Sequence, residues 1–332
     1  MNVRRHHISG AAVAAVTALG LGTLSACSTD SAAAGGTDKF DVVASFYPMA
    51  YLAEQIGGDH VNVTSLTEPG QEPHDLEISA QQRTQLEKSD AALYLKGLQP
   101  SVDEAVTQSG IKTKIDAATL TTLEEHGTEV GGHAAEHEDE HAAEDEHAAE
   151  DEHGHEEEGG KDPHIWLDPV KYAEVAEGVG KAFEKADPDH AADYKKNTAD
   201  LVAKLGALDT EFKNGLATTK TKVFITTHAA FGYLAERYGL TEEAISGLDP
   251  ESEPSGARVK ELEKMAKADG VTTVFYETLV SDKTAKTIAG DANLKTDVLD
   301  PIEGITKKSR GTDYFAVQKA NLKALQTALG TT

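Results

Sequence analysis

What most constrains this chain is an alternation. Short runs rich in Val, Ile, Phe and Tyr are each followed by a stretch of helical period. "FDVVASFY" (40–47) reads as a strand and "PMAYLAEQIG" (48–57) as a helix with Pro48 near its start. "VNVTSL" (61–66) is a second strand, "SAQQRTQLEKS" (79–89) a helix and "AALYLKG" (91–97) a third strand; a short helix near 101–109 then leads to "TKIDAA" (113–118). Four βα-type units in succession predict a parallel sheet with helices on both faces. The pattern returns later in the chain. "KVFITTH" (222–228), "TEEAISGL" (241–248), "VTTVFYE" (271–277) and "KTDVLD" (295–300) read as strands. Helices are expected over 229–239, 255–269 and 281–290 between them.

Between the halves, "DPHIWLDPVKYAEVAEGVGKAFEKADP" (162–188) reads as a loop and a helix. "HAADYKKNTADLVAKLGALDTEFKNGLAT" (190–218) then keeps a helical period for nearly thirty residues. At about 1.5 Å per residue such a helix exceeds 40 Å, enough to link two lobes. The expected fold is therefore α/β, with two βα lobes of parallel sheet joined by one long rigid helix. The expected boundaries are an N-terminal lobe over 40–187, the linking helix over 188–217 and a C-terminal lobe over 218–332.

One stretch breaks the pattern. "HAAEHEDEHAAEDEHAAEDEHGHEEE" (133–158) holds no apolar residue larger than Ala, so it cannot bury enough surface to offset the entropy of ordering. Residues 124–160 are accordingly expected to form a disordered insert within the first lobe. Residues 121–160 contain sixteen Asp and Glu and no Lys or Arg, which accounts for most of the formal net charge of -26. The acidity is local, and it argues against nucleic acid as a partner. His126, His133, His137, His141, His147, His153 and His155 make the insert a candidate weak metal-binding loop. From His133 to His155 they recur at spacings of four, four, six, six and two, so no single helical face collects them. "HEDEH" (137–141) matches the zinc-protease pattern H-E-x-x-H. That chemistry needs a rigid helix docked by an apolar face, which this composition cannot supply.

The first residues read as a targeting signal. Arg4 and Arg5 precede the apolar run "AAVAAVTALGLGTL" (11–24), which is too short for a comfortable membrane span. "LSAC" (24–27) follows and resembles a bacterial lipobox; Cys27 is the one cysteine of the sequence. The resemblance implies cleavage after residue 26, a lipid on Cys27 and an anchor on the outer face of the cytoplasmic membrane. Residues 27–39 read as a flexible tether. With a single cysteine there is no intramolecular disulfide.

Ligands of open α/β sheets gather at the carboxyl ends of strands. His228 ends "KVFITTH", Glu277 ends "VTTVFYE" and Asp300 ends "KTDVLD"; His74 follows the second strand and His164 the fourth once the insert is skipped. Three imidazoles with a carboxylate or water suit tetrahedral Zn2+, and nitrogen-rich sets favour zinc over manganese. His60 and His190 lack such placement and read as ordinary surface histidines.

"EPHDLE", "DPHIWLDP", "THAAFGYLAERYGL", "EPSGARVKELEK" and "VLDPIEG", in this order, resemble the bacterial zinc ABC-transporter solute-binding proteins, the metal-binding type with a rigid inter-lobe helix. The resemblance covers about residues 40–332. It implies one tight Zn2+ held by His74, His164, His228 and Asp300, with Glu277 orienting a ligand from behind. It also implies an ABC permease subunit as partner, and a monomer. Manganese-type relatives place a carboxylate where His228 stands, which favours zinc here. Zinc members often carry a His- and acid-rich insert just before the second histidine ligand. A surface metal buffer, a manganese-type importer component and a secreted metalloenzyme are the competing functions. Four ligands closing the sphere argue against the enzyme.

Overall fold

The computed structural model describes residues 39–127 and 161–331. The signal segment, Cys27, the tether, the H-E-x-x-H match and His133 to His155 lie outside the described residues.

The first lobe is built from β1 (Phe40–Ala44), α1 (Tyr47–Gly57), β2 (Val61–Ser65), α2 (Ala80–Lys88), β3 (Ala91–Tyr94), α3 (Pro100–Gln108) and β4 (Thr113–Asp116). Its sheet runs β2-β1-β3-β4, every pair parallel. The second lobe comprises β5 (Val223–Thr226), α6 (Gly232–Tyr238), β6 (Thr241–Ala244), α7 (Gly256–Ala268), β7 (Thr273–Tyr276), α8 (Lys283–Ala292) and β8 (Lys295–Val298). Its sheet repeats the order, β6-β5-β7-β8, again all parallel. Parallel pairing follows from the helical crossovers, which return the chain to the same end of the sheet before each new strand. In each sheet the order reverses beside the first strand, and a crevice opens there at the carboxyl ends.

Between the lobes lie α4 (Pro169–Ala186) and α5 (Ala191–Gly215). The linking helix is shorter than its sequence period suggests. A 3-10 turn, Pro188–His190, precedes it, and the helix keeps 25 residues, about 37 Å at the usual rise. Leu201, Leu205, Leu208 and Phe212 recur along one face and are buried. Gly180 of α4 sits against Thr198 of α5, where a Cβ would come within 2.2 Å of the hydroxyl oxygen. A side chain there would push the two helices apart.

One element was not expected from sequence. α9 (Tyr314–Leu329) starts on an Asp313 cap and ends at Gly330 in the left-handed region. It carries Tyr314, Val317 and Leu325 into the largest core cluster, which also holds Phe46, Trp166, Tyr172, Phe212 and Phe224. That cluster draws on both lobes and on α4 and α5, so the lobes share one core. Each lobe adds a smaller core on its other face, around Val43, Leu86 and Val102 in the first and Ile225, Leu262 and Ile288 in the second. No helix among the described residues is long and apolar enough to cross a membrane.

Candidate metal centre

Three imidazoles meet where the strand ends of the two lobes face each other. His74 comes from the loop after β2, His164 from the loop before α4 and His228 from two residues past β5. Their ring centroids are 5.4 Å apart for His74–His164, 6.0 Å for His74–His228 and 5.4 Å for His164–His228. His164 and His228 are fully buried, and the His74 side chain is 12 % exposed.

The carboxylate at the centre of this group is Glu303, not Asp300. Glu303 Oε1 lies 3.3 Å from His74 Nε2, 3.4 Å from His164 Nε2 and 3.7 Å from His228 Nε2. One ligand atom from each of the four residues falls within 4.8 Å of every other. A tetrahedral ion with bonds of about 2.0–2.1 Å needs ligand atoms about 3.3–3.4 Å apart. Two of the observed spacings match that edge and the third is slightly longer.

The expectation for Asp300 is corrected by the turn that follows it. Asp300 Oδ1 accepts from the Ile302 amide at 2.8 Å, and Oδ2 accepts from the Thr278 hydroxyl at 3.2 Å. Asn321 of α9 clamps the Asp300 backbone from both sides, at 3.0 and 2.7 Å. Ile302 is held at φ 60, a left-handed conformation that a β-branched residue pays for with strain. The strained turn swings Glu303 back among the imidazoles, so Asp300 supports the turn rather than facing the histidines. Burial pushes the Asp300 carboxyl up to about 6.

Carboxylates also fix the rings. His164 Nδ1 donates to Asp162 Oδ1 at 2.7 Å, and the same oxygen takes the His164 amide at 2.9 Å. His228 Nδ1 donates to Glu277 Oε1 at 2.8 Å, and Thr227 donates to that oxygen at 3.1 Å. Glu277 thus lies behind the His228 ring, and Asp162, which sequence reasoning did not single out, lies behind that of His164. With Nδ1 carrying the proton, Nε2 presents its lone pair. Nε2 of His164, Nε2 of His228 and Oε2 of Glu303 are buried without hydrogen-bond partners. Buried polar atoms are rarely left so, and a cation ligated at this point would satisfy them. The residues present therefore fit Zn2+.

Glu72 is a further residue that sequence reasoning passed over. Its Oε1 accepts from the His74 amide at 3.0 Å, and it groups with Glu277 and Glu303. Burial, and then the neighbouring Glu303, push its carboxyl up to about 8. The shift favours its protonated form, which brings no negative charge into the pocket.

Without a cation, the imidazoles and Glu303 hold protons between them. Burial alone would lower the His164 pKa; the hydrogen bond to Asp162 and the nearby Glu303 carboxylate outweigh it and raise the value to about 9. His228 is raised well above its ordinary value by Glu277 and Glu303 against the same burial penalty. The three histidines outweigh burial at Glu303 and hold its carboxyl well below the usual range.

Two of the quoted motifs are tied together behind the site. Arg237 of α6 makes a forked pair with Asp168, at 2.6–2.9 Å, and Asp168 caps α4 through the Val170 amide. Trp166 is fully buried, donates to the Pro301 carbonyl at 2.6 Å and lies 5.2 Å from the His164 ring. It thereby joins the His164 loop to the Glu303 turn. His60 and His190 stack on each other at 4.1 Å, away from the centre.

His126 departs from its expected place in a disordered insert. It is ordered at the end of the first described segment, between Asp162 and Glu236. Residues 124–127 of the expected insert thus pack against the second lobe.

Comparison with known proteins gives consistent matches. The ZnuA family model, described as zinc-uptake complex component A, periplasmic, matches residues 42–328. Zinc-binding lipoprotein AdcA of Streptococcus pneumoniae is 35 % identical over 309 residues, covering 91 % of this chain and 58 % of that protein. The chain thus spans 58 % of the length of the first curated relatives it matches. High-affinity zinc uptake system protein ZnuA of Bacillus subtilis is 35 % identical over 308 residues, covering 91 % of both chains. Among solved structures, the Zn(II)-bound ZnuA-like domain of S. pneumoniae AdcA aligns with TM-score 0.69 at 31 % identity, over 88 % of this chain and 99 % of that one. The laminin binding protein Lmb of Streptococcus agalactiae, a bifunctional protein with adhesin and metal transporting activity, aligns with TM-score 0.73 at 27 % identity, over 87 % of this chain and 99 % of that one.

Proposed function

The chain belongs to the family of zinc-uptake component A proteins, and from that premise we propose that it captures Zn2+ between its lobes and delivers it to the membrane permease of an ABC importer. The observation that carries this reading is the cage itself: three imidazole Nε2 atoms lie 3.3, 3.4 and 3.7 Å from one Glu303 oxygen, two of them at the edge length of a zinc tetrahedron. His74, His164, His228 and Glu303 are the ligands, and Asp162 and Glu277 hold two of the rings in the ligating tautomer. A nitrogen-rich set favours zinc over manganese. Four protein ligands close the sphere, which suits capture and release rather than catalysis, where zinc keeps an open position. The zinc-binding lipoproteins and the periplasmic family description among the matches support an extracytoplasmic place, with Cys27 as the lipid-bearing residue.

Competition titration of the full chain against a zinc chelator, repeated across pH, tests this. One ion is expected to bind far more tightly than any other. Its affinity should rise with pH, because zinc must displace the protons on His164 and His228. The part of the rise due to His164 is expected to be about tenfold per pH unit below about pH 9 and to level off above it, with the His228 proton adding to the slope. A pH-independent affinity, or several ions bound equally, would contradict the reading.

The same shifts set the stability of the metal-free protein. His164 is raised above its ordinary 6.5, so its contribution is complete below that pH and is lost as pH climbs through about 9. Glu303 is depressed below 4.5, so its contribution is present above that value and is lost as pH falls.

A further inference from the structure

A second constellation stands beside the imidazole centre, at the last described residues before the His- and acid-rich stretch. His126 Nδ1 lies 3.1 Å from Asp162 Oδ2, and His126 Nε2 lies 2.9 Å from Glu236 Oε2. Glu124, His126 and Glu236 each offer one ligand atom within 4.8 Å of the others. The fold builds this placement. The Tyr233 hydroxyl accepts from the Glu124 amide at 2.8 Å and donates to the Asp162 carbonyl at 2.8 Å, and the Tyr233 ring meets His126 edge-on at 4.5 Å. At Gly232 any Cβ would come within 2.4 Å of the His126 Cβ, so only glycine leaves the histidine room. The group opens on a polar cleft of about 800 Å3.

The wiring repeats that of His164. One Asp162 carboxylate serves both rings, taking His164 Nδ1 on Oδ1 and His126 Nδ1 on Oδ2. In both cases Nε2 is turned toward carboxylate oxygens. An imidazole whose Nδ1 proton is held by a carboxylate is a better ligand at Nε2. One nitrogen and two carboxylates form an acceptable set for a borderline divalent ion. Three differences make this set the weaker of the two. The His126 side chain is 19 % exposed, and that of Glu236 is 60 % exposed. Glu124 shares an oxygen with Lys171 at 2.6 Å, whose charge opposes a cation. With only three protein ligands, the coordination sphere also stays open to water.

We propose that Glu124, His126 and Glu236 form a second, lower-affinity Zn2+ site, joined to the imidazole centre through the shared carboxylate of Asp162. The proposal rests on the zinc reading of that centre. The site stands at the root of the segment that carries His133 to His155, and it gives an ion gathered there a fixed point one carboxylate away from His164. An open, exposed, three-ligand site exchanges its ion readily, as a transit position must.

The test is diffraction from crystals of the full chain in excess zinc, with anomalous data collected on both sides of the zinc edge. Two peaks are expected, one within His74, His164, His228 and Glu303 and one within Glu124, His126 and Glu236. His126→Ala and Glu236→Gln should each lose the second peak and keep the first; Glu236 is exposed, so its replacement leaves folding unaffected. In solution, Asp162→Asn should weaken both sites about ten- to hundredfold, whereas His126→Ala should weaken only the outer one. An inner peak alone, at zinc concentrations that fill weak sites, overturns the proposal. Loss of the inner peak overturns the reading it rests on. An Asp162→Asn protein with its outer site unchanged refutes the link between them.

Discussion

His228→Ala is expected to weaken zinc binding by about 3 kcal/mol, roughly a hundredfold. Zinc at a four-ligand protein site contributes about 10–16 kcal/mol in all, so one ligand of four accounts for about that much. The loss has two further parts. Glu277 would be left buried beside no ring, although it now receives the His228 Nδ1 proton at 2.8 Å. A void would open at a position that is 2 % exposed, and water would have to replace imidazole as ligand. His60→Ala is the matched control, since that ring stacks on His190 and leaves the centre untouched. Competition titration of the two variants decides the matter. Equal affinities for His228→Ala and the parent protein would remove His228 from the ligand set.

Glu303→Gln and Asp300→Asn are expected to separate by at least about tenfold in zinc affinity, with Glu303→Gln the weaker. Among the described residues, Glu303 supplies the one charged oxygen that lies against all three imidazoles, at 3.3, 3.4 and 3.7 Å. Gln keeps the shape but not the charge that balances the ion, and a loss of about a hundredfold is the scale of one ligand. Asp300→Asn keeps an oxygen to accept the Ile302 amide, which now lies 2.8 Å from Oδ1, so the turn and Glu303 should hold their places. Its affinity is expected to stay within about tenfold of the parent, the range of a supporting group. Isothermal titration with a competing chelator measures both. The reverse order, with Asp300→Asn the weaker, would return Asp300 to the ligand set and dismiss Glu303.

The contrast between these two carboxylates shows what a sequence conceals. Strand ends were legible, because β-branched runs followed by helical periods mark them. His74, His164 and His228 could therefore be placed together from spacing and the strand-end rule alone. Asp300 ends the last strand, as Glu277 ends the one before it, and the family resemblance implies Asp300 as the fourth ligand. Whether it or Glu303 reaches the histidines depends on Ile302 at φ 60, and no propensity puts a β-branched residue there. The conformation is imposed by Asn321 of α9 and by burial, which are tertiary facts. α9 itself was legible, from an Asp313 cap, an apolar period and Gly330, but the alternation of strand and helix drew the reading no further than β8. His126 was assigned by the composition of its neighbours. Its ordered place depends on room left by Gly232 and on Tyr233, both more than a hundred residues away in sequence. The linking helix lost its first turn to the 3-10 segment that Pro188 begins.

The central claim is that one Zn2+ sits among three imidazoles and one carboxylate. Zinc-edge X-ray absorption on the full chain, loaded with less than one equivalent so that only the tightest site fills, tests it most directly. The account predicts four light-atom neighbours at about 2.0–2.1 Å, with the outer-shell scattering of three imidazole rings. The count should fall to two rings in His228→Ala and stay at three in Glu303→Gln. An oxygen-only shell in the parent protein, or one with a single imidazole, would contradict the account.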